Sequence, residues 1–220
     1  MVRIGVLGGT GPAGQGLALR LASVGVEVVI GSRSPARATE ICDKLRDQYP
    51  ERDLPISPGD NAAAAAADVV VVATPWEAAA PTATALNEAL TGKVVVSMAN
   101  ALTRVGDEFI SLIPPRGSVA AWVQAAVPGA MVAAALHHLP ARSLSDLDHD
   151  LNADVLVCSD HREAVAATCD LIARIPGLRA LDAGRMSSAS AIEALTPVLL
   201  QINVRYKARA SIRLTNIDLG

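Results

Sequence analysis

The sequence predicts an α/β fold in which a doubly wound parallel sheet is followed by a smaller α/β unit. Two observations predict it. Short aliphatic runs alternate with segments of helical spacing along residues 2–136, and parallel neighbouring strands require such crossover connections. In addition, the first aliphatic run leads directly into a glycine-rich turn, Gly8–Gly14, which opens the next predicted helix.

The elements of the sheet follow in order from local patterns. The first strand, 2–7, is aliphatic except for Arg3 and Gly5, as expected of a strand buried on both faces. A helix then extends to Gly25, which ends it, and 26–30 is the second buried strand. The remaining alternation predicts a helix at 35–49, a short strand at 54–57, a helix at 62–67, strands at 69–73 and 94–97 around a helix at 76–90, a Gly- and Pro-rich loop at 103–117, a helix at 118–127 and a sixth strand at 131–136.

After His137 the alternation loosens, and residues 140–150 are polar and acidic. Beyond them we predict a strand at 155–158, a helix at 161–174, a strand at 178–181 and a helix from 188 to about 210. We therefore divide the chain into a nucleotide-binding domain, 1–139, and a small C-terminal α/β domain, 140–220, that closes over it.

Composition limits the classes of function. Hydrophobic residues make up 51% of the 220 residues and charged residues 19%, which is typical of a globular chain with a large core. Five aromatic residues and a net charge of −3 exclude the stacking platforms and basic surfaces that bind nucleic acids or anionic membranes. The longest nearly apolar stretch, 118–136, contains Gln124 and a Pro128-Gly129 break, so we expect no membrane span.

The three cysteines, Cys42, Cys158 and Cys169, are odd in number and fit neither CxxC nor a zinc-ligand spacing. We expect reduced thiols rather than a disulfide framework or a metal site. The first residues, MVRIGVLGG, are interrupted by glycines, so we expect no secretory signal there. These observations predict a cytoplasmic protein.

The motif Gly9-x-Gly11-x-x-Gly14 lies between the first strand and the first helix. Gly9 permits a tight turn, Gly11 lets a pyrophosphate approach the backbone, and Gly14 lets helix and strand pack closely. A glycine turn without a ligand is the alternative. The order strand, loop, helix, strand within thirty residues favours a Rossmann-type dinucleotide site, with this loop: Gly9-Thr10-Gly11-Pro12-Ala13-Gly14.

The end of the second strand indicates NADP(H) rather than NAD(H). An NAD enzyme carries Asp or Glu there to accept the ribose hydroxyls, whereas this chain has Gly31-Ser32-Arg33, with Arg37 four residues later. Ser32 can donate a hydrogen bond to a 2′-phosphate, and the two guanidinium groups supply positive charge from the first turn of the next helix. The alternative is a solvated basic helix start.

Ligands bind at the carboxyl ends of parallel strands. Two segments follow the fourth and fifth strands and are therefore further candidates: Thr74-Pro75-Trp76 and Met98-Ala99-Asn100. Trp76 is the one of the five aromatic residues that we expect at a ligand. It either contacts the ligand or anchors its own helix in the core.

His137 and His138 end the sixth predicted strand. Neighbouring side chains on an extended segment point to opposite faces, so the pair cannot share a metal ion, and we predict no metal site. His137 either serves as a catalytic proton donor or acceptor on the nicotinamide side or is a hydrogen-bonded rim residue. No serine lies in a nucleophile elbow, which excludes Ser-His-Asp hydrolysis.

Five blocks of the chain, taken together, resemble the NADPH-dependent coenzyme F420 reductases, also called F420:NADP oxidoreductases. They are IGVLGGTGPAGQGLALRLA from residue 4, IGSR from 30, TPWE from 74, ALHHLPA from 135 and EALTPVLL at 193–200. The glycine loop is generic, whereas the order and separations of the later blocks are specific, and the matches cover nearly the whole chain.

The resemblance implies reversible hydride transfer between NADP(H) and the 5-deazaflavin coenzyme F420, in a cleft between the two domains of a homodimer. It assigns the NADP phosphate contacts to Thr10–Ala13, Ser32, Arg33 and Arg37, and the nicotinamide half to the segments after the fourth and fifth strands. It assigns the deazaflavin side to four residues: His137, Leu139, Ala141 and Thr196. Ala194, where the family has serine, and His138, where it has threonine, alter details of deazaflavin binding.

Four basic residues cluster near the C-terminus: Arg205, Lys207, Arg209 and Arg213. Our hypothesis is that some of them attract the phosphate and glutamates of the deazaflavin tail, and a solvated helix end or a subunit contact is the alternative. Because the glycine loop does not identify the second substrate, two other functions stay open. One is an NADP-dependent reductase of a small imine or ketone, and the other is a non-catalytic NADP-binding sensor.

Overall fold

The protein is described by a computed structural model that covers residues 2–217, so residues 1 and 218–220 of the two predicted domains lie outside the described range. The strands, in chain order, are β1 (Arg3–Leu7), β2 (Glu27–Ser32), β3 (Ile56–Asp60), β4 (Val69–Val72), β5 (Val94–Ser97), β6 (Leu102–Val105), β7 (Glu108–Ser111), β8 (Met131–Ala134), β9 (Ala153–Val157) and β10 (Leu178–Asp182). The helices are α1 (Pro12–Ala22), α2 (Pro35–Gln48), α3 (Asn61–Ala65), α4 (Trp76–Ala85), α5 (Asn87–Leu90), α6 (Val119–Ala126), α7 (Ala141–Leu144), α8 (Arg162–Ala173) and α9 (Ala189–Tyr206).

Six parallel strands form the main sheet in the order β3-β2-β1-β4-β5-β8. The chain leaves β1 in one direction for β2 and β3 and in the other for β4, β5 and β8, so the strand order reverses beside β1. This confirms the predicted doubly wound parallel fold. The carboxyl ends of β1 and β4 border the switch point, where ligands of such sheets bind.

The sheet is buried on both faces because its strands are aliphatic throughout. Ile4 and Val6 join one apolar cluster with α1, α2 and α8, whereas Val70 and Val72 join another with α3, α4 and α6. Gly5 leaves a gap on the second face, and α3 occupies it: a Cβ at Gly5 would lie 1.8 Å from the carbonyl oxygen of Ala64. The run of alanines therefore forms a helix that packs directly on the strand.

The C-terminal part adds a second parallel sheet of two strands, β9 and β10. Helix α8 packs against β10 and also against β5 and β8 of the main sheet, and an isolated antiparallel bridge joins Ala134 to Cys158. Val155 and Ile172 belong to the same apolar cluster as Ile4, so both parts share one core.

Three predicted boundaries are wrong for physical reasons. The third strand is Ile56–Asp60 rather than 54–57, and it contains Pro58, which is tolerated because β3 lies at the sheet edge. The predicted helix at 76–90 is divided at Leu86 into α4 and α5. The last helix ends at Tyr206, because Lys207 adopts a left-handed conformation with φ 50°.

The predicted loop at 103–117 contains an antiparallel hairpin, β6–β7, in which Val105 pairs with Glu108. The two residues between them are Gly106, at φ 59°, and Asp107, a pair that favours a tight hairpin turn. Strand β7 packs on α9, and the amide of Phe109 donates to Oε1 of Gln201 (3.3 Å). In residues 2–217, no helix is both long and apolar enough to cross a bilayer.

Candidate functional site

The glycine loop at the end of β1 is fixed by backbone packing. Gly8 adopts a left-handed conformation at φ 67°, and the amide of Gly9 donates to the carbonyl of Gly31 on β2 (2.9 Å). A Cβ at Gly14 would lie 2.8 Å from the Cα of Gly9. Gly9 and Gly14 are therefore required by contacts within the protein.

Gly11 differs from its neighbours, because a Cβ there would meet nothing closer than the carbonyl oxygen of Gly8 at 3.7 Å. The protein itself does not require a glycine at this position. Across residues 2–217, no backbone carbonyl accepts from the amides of Thr10, Ala13 or Gly14, and Pro12 begins α1. Open space in front of free N–H groups at a helix N-terminus fits a pyrophosphate.

A cavity of about 380 Å³ lies beside this loop and reaches the end of β2; we call it the nucleotide cavity. Arg33 and Arg37 are exposed and both line it, while Ser32 is buried. Arg33 precedes α2, whose N-cap is Ser34, so the predicted placement of both arginines on a first helical turn is wrong. Among the described residues no carboxylate lines the cavity, which suits a phosphate on the ribose.

Asn61 is a lining residue of the nucleotide cavity that the sequence interpretation missed. Its Oδ1 accepts from the amide of Gly8 (3.3 Å), so its amide nitrogen remains available to a ligand. The signal was present in the sequence, since Asn61 follows directly after β3 at the carboxyl edge of the sheet.

A second cavity of about 380 Å³, the nicotinamide cavity, lies at the ends of β4 and β5. It brings together both predicted segments, and its lining is Ala13, Ala73, Thr74, Pro75, Trp76, Glu77, Met98, Ala99, Asn100 and Leu102. Thr74 borders both cavities, and its Oγ1 is buried without a hydrogen-bond partner among the described residues. A hydroxyl in that state fits a polar group of a bound nucleotide.

Trp76 lies in a position that is compatible with both roles that the sequence left open. It lines the nicotinamide cavity, and its ring packs against Trp122 of α6 at 6.4 Å between centroids. Phe109, described below, is a second aromatic residue that lines a cavity, and the expectation that Trp76 alone contacts a ligand stays a prediction.

The two histidines lie in a turn rather than at the end of a strand. Strand β8 ends at Ala134, and buried Leu136 adopts a left-handed conformation at φ 70°, which costs free energy for a branched side chain and is typical of constrained functional sites. The rings of His137 and His138 consequently approach to 5.6 Å, edge to face. The predicted divergence of the pair is wrong.

His137 is buried, and its Nδ1 lies 3.0 Å from the carbonyl of Ala135. Burial lowers the pKa of His137 to about 3, so the ring is neutral, Nδ1–H donates to that carbonyl and Nε2 keeps a lone pair. His137 lines neither cavity. His138 Nε2 lies 2.9 Å from the carbonyl of Asp154. Across the described residues, no group of His, Cys, Asp and Glu has the arrangement of a metal site.

The carbonyl oxygen of His137 joins three elements beside the nicotinamide cavity. It accepts from Asn100 Nδ2 (2.8 Å) and lies 3.1 Å from Thr196 Oγ1. Thr196 Oγ1 also lies 3.0 Å from Asn100 Oδ1. The predicted residues on β5, the histidine turn and α9 are therefore in direct contact.

A larger groove of about 600 Å³ lies between the hairpin, α7 and the end of α9; we call it the basic groove. Its lining is Phe109, Pro140, Ala141, Arg142, Leu200, Asn203, Val204, Lys207, Ala208 and Arg209. Ala141 is thus placed in this groove, apart from the nicotinamide cavity, while Leu139 is buried in the apolar core. Arg142 was missed by the sequence interpretation.

Of the four predicted basic residues, Lys207 and Arg209 line the basic groove. Arg209 also pairs with Asp146 (2.7 Å). Arg213 lies 3.5 Å from the buried carboxylate of Asp154, and Arg205 is exposed on the last turn of α9. The cluster is therefore divided between a groove wall and structural ion pairs.

Comparison with known proteins identifies the family. A family profile described as "NADP oxidoreductase coenzyme F420-dependent" matches residues 3–101. Proteins named F420-dependent NADP reductase from Methanocaldococcus jannaschii and Methanothermobacter marburgensis are 38% and 36% identical, over 99% and 98% of this chain and 100% and 99% of their own. A crystal structure from Arthrobacter sp. FB24, provisionally named an F420-dependent NADP-reductase, is 26% identical with a TM-score of 0.82, covering 97% of this chain and 100% of that one.

Proposed function

Since this chain belongs to the coenzyme F420-dependent NADP oxidoreductase family, we propose that it is an oxidoreductase that transfers hydride reversibly between NADP(H) and the 5-deazaflavin coenzyme F420. One observation carries the proposal at the level of the site: two elements connect the nicotinamide cavity with the basic groove. Leu102 and Phe109 of the hairpin line one each. On α9, Thr196 contacts Asn100, and Leu200 lines the groove.

The nucleotide and nicotinamide cavities are proposed to hold NADP(H). The amides before and within the first turn of α1 bind the pyrophosphate, and Ser32, Arg33 and Arg37 bind the 2′-phosphate. Thr74 lies between the cavities and bonds to the ribose or pyrophosphate. When bound, NADPH supplies the hydride, and the residues of this chain orient the nicotinamide and exclude water.

The basic groove is proposed to receive the deazaflavin. Thr196 and Asn203 are seven residues apart on α9, about 10 Å along a helix axis, so the helix leads from the nicotinamide cavity into the groove. The ring lies at the Asn100–Thr196 end, and the phosphate and glutamate tail lies at the end with Arg142 and Lys207. The backbone carbonyl of His137 orients Asn100 and Thr196 beside the ring, and this positioning is the role that we propose for His137.

The activity is tested by mixing purified protein, NADPH and oxidised coenzyme F420 and following the visible absorbance of the deazaflavin. Protein-dependent loss of that absorbance is expected. Tight NADPH binding without any loss would contradict the proposal, and turnover of an imine or ketone panel would then separate another reductase from a sensor.

The tail site is tested by Lys207→Glu, with Arg205→Glu as the matched control two residues earlier, on the last turn of α9 and outside the groove. We expect Lys207→Glu to raise the KM for coenzyme F420 about tenfold, because a cation that attracts the tail becomes a repelling anion. The KM for NADPH should stay unchanged. Equal effects of the two variants on the deazaflavin KM would contradict this site.

We further propose a homodimer, two domains (1–139 and 140–220) and a cytoplasmic location. Helix α9 exposes Val198 (53%), Ile202 (37%) and Tyr206 (77%) at a spacing of four residues, an apolar stripe suited to a second copy. Light scattering should give twice the 22.6 kDa chain mass, and Ile202→Glu should reduce the measured mass to that of a single chain.

The proposed cytoplasmic location is supported by the unpaired cysteines. Burial raises the pKa of Cys42 to about 11 and that of Cys158 to about 12.

A further inference from the structure

Glu193 is a buried carboxylate that the proposed binding sites do not use. It lies on α9, 6% exposed, three residues before Thr196. Its Oε2 accepts from the amide of Val119 (2.9 Å) and its Oε1 from the amide of Ala120 (3.1 Å), the first two residues of α6. The carboxylate therefore spans the N-terminus of a helix 74 residues earlier in the chain.

This contact does more than cap a helix. Ser118 is the N-cap of α6, and its Oγ accepts from Ala121 (3.1 Å), which is the ordinary way to satisfy such an end. Glu193 adds a second pair of hydrogen bonds from another helix, at the cost of burying a charge: burial raises its pKa to about 7. These hydrogen bonds therefore fix the position of α6 relative to α9.

Helix α6 transmits that position to the nicotinamide cavity. It packs on α4, and Trp122 of α6 contacts Trp76, the first residue of α4. Trp76 and Pro75 line the cavity. Thr196, three residues after Glu193 on α9, contacts Asn100, which also lines this cavity. Two neighbouring positions of one helix thus hold two walls of the same cavity.

We propose that Glu193 is a positioning residue whose carboxylate fixes α6 on α9 and thereby sets the Pro75–Trp76 wall of the nicotinamide cavity. The inference rests on the proposed function in one respect, namely that this cavity binds the nicotinamide of NADPH. Glu193 acts through α6 and does not touch the substrate. Its loss should therefore weaken the binding of the nucleotide and leave the distant end of the basic groove unaltered.

The test compares Glu193→Gln with Ser118→Ala. The glutamine keeps the size of the side chain but offers one acceptor and turns an N–H₂ group towards a backbone N–H. Ser118→Ala weakens the same helix end without touching the link to α9. The readouts are thermal stability, the emission of Trp76 and Trp122 (both tryptophans of the chain), and the Kd of NADPH from quenching of that emission, with no deazaflavin present.

We expect Glu193→Gln to shift the tryptophan emission and to raise the Kd of NADPH about tenfold, the equivalent of one lost charge-assisted hydrogen bond. The KM for coenzyme F420 should change by less than about twofold, well below the expected change in the Kd of NADPH. Ser118→Ala should lower the melting temperature while leaving the Kd of NADPH unchanged. If Glu193→Gln does not fold, Glu193→Asp, which keeps the charge but is one methylene shorter, is measured in its place.

Two results would overturn the inference. One is a folded Glu193 variant that binds NADPH as tightly as the wild type with unchanged tryptophan emission. The other is an equal loss of NADPH affinity in Ser118→Ala, which would make Glu193 a cap and no more. The NADPH titration needs no deazaflavin. If the wild type failed to reduce coenzyme F420, the proposed function would be contradicted, but the titration would still test the role of Glu193.

Discussion

The nucleotide-binding half and the C-terminal half of this protein are held together by different kinds of contact. In the first half, backbone packs on backbone where side chains are missing, as with Gly5 against Ala64 and Gly14 against Gly9. The second half is held instead by buried charged groups that reach distant backbone, and one of them, Arg20, belongs to the first half. Arg20 Nη2 donates to the carbonyl of Ser143 (2.6 Å), 123 residues away, and the carboxylate of Asp154 accepts from the amide of Leu214 (2.6 Å).

The first half therefore depends on steric contacts and the second half on electrostatic ones. A glycine contact fails when any atom is added, and it is indifferent to pH and to charge. A buried charge fails when its partner is removed, because an unpaired ion in the interior is costly. The two halves should therefore respond to different substitutions, and the following experiments compare them in order of expected effect.

The largest effect is expected at Asp154, whose side chain is fully buried. The Arg179 guanidinium binds both its oxygens (2.7 and 2.8 Å) and holds the pKa of Asp154 below its ordinary value. Asp154→Asn should lower the free energy of unfolding at pH 7 by about 3 kcal/mol, since it leaves the guanidinium without its anion. Urea denaturation measures the loss.

The pH dependence of that loss has a definite sign. A carboxyl whose pKa is lowered by folding stabilises the protein fully above its ordinary pKa of about 4, and the stabilisation disappears as the pH falls through the lowered value. The gap between wild type and Asp154→Asn should therefore narrow in acid. Asp146→Asn is the control: its pair with Arg209 is partly exposed and should contribute at most about 1 kcal/mol. Equal losses would contradict the contrast.

Within the nucleotide-binding half, Gly11→Ala and Gly14→Ala separate ligand approach from protein packing. A Cβ at Gly11 meets only ordinary contacts, whereas one at Gly14 lies 2.8 Å from the Cα of Gly9. Both variants should weaken NADPH binding about a hundredfold, equivalent to about 2.7 kcal/mol. Only Gly14→Ala should also lower the free energy of unfolding, by about 1–2 kcal/mol, the cost of overpacking less the gain in helix propensity.

Tryptophan quenching gives the NADPH affinity and urea denaturation gives the stability of these two glycine variants. A Gly11→Ala variant with the NADPH affinity of the wild type would contradict the proposed binding of the pyrophosphate at this loop. A Gly14→Ala protein of undiminished stability would show that the steric contact yields easily, and the contrast between the two halves would then be lost.

The same difference explains which parts of the fold are predictable from the sequence. The strands β1, β2, β4, β5 and β8 rest on local aliphatic runs, and the glycine loop rests on residues within one turn, so each is found near its predicted position. The hairpin carried a turn signal in Gly106-Asp107 that was overlooked. The turn at the histidines had none, because no local pattern indicates that Leu136 is left-handed.

The candidate site divides in the same way. The proposed cofactor-binding residues Thr10, Arg33, Thr74 and Asn100 line the two cavities as predicted, because strand ends meet at one edge of a parallel sheet. The basic groove could not be predicted from spacing, because Phe109, Arg142 and Lys207 come from three elements that only the folded chain brings together. The contacts of Glu193 could not be predicted for the same reason, since its partners on α6 are 73 and 74 residues away.

The third effect concerns the choice of nucleotide and belongs wholly to the nucleotide-binding half. Arg33→Ala should weaken NADPH binding about tenfold, or 1.4 kcal/mol, and leave NADH binding nearly unchanged, since an exposed guanidinium at this place acts on the 2′-phosphate alone. Lys44→Ala is the control, an exposed cation on α2 outside the cavity. Parallel titrations with both nucleotides measure it, and an equal loss for NADH would contradict the assignment of the 2′-phosphate.

The smallest effect is expected where the two halves meet, at the hydroxyl of Thr196. Thr196→Val keeps the shape and removes the group that lies 3.0 Å from Asn100 Oδ1 and 3.1 Å from the carbonyl of His137. That carbonyl still accepts from Asn100 Nδ2, so the loss of stability should be about 1 kcal/mol. The kcat with coenzyme F420 should fall several-fold while the Kd of NADPH stays constant, because Thr196 lines neither the nucleotide nor the nicotinamide cavity. Thr196→Ser restores the hydroxyl and should restore kcat. A serine variant as slow as the valine variant would show that the methyl packing of Thr196, and not its hydrogen bond, joins the two halves.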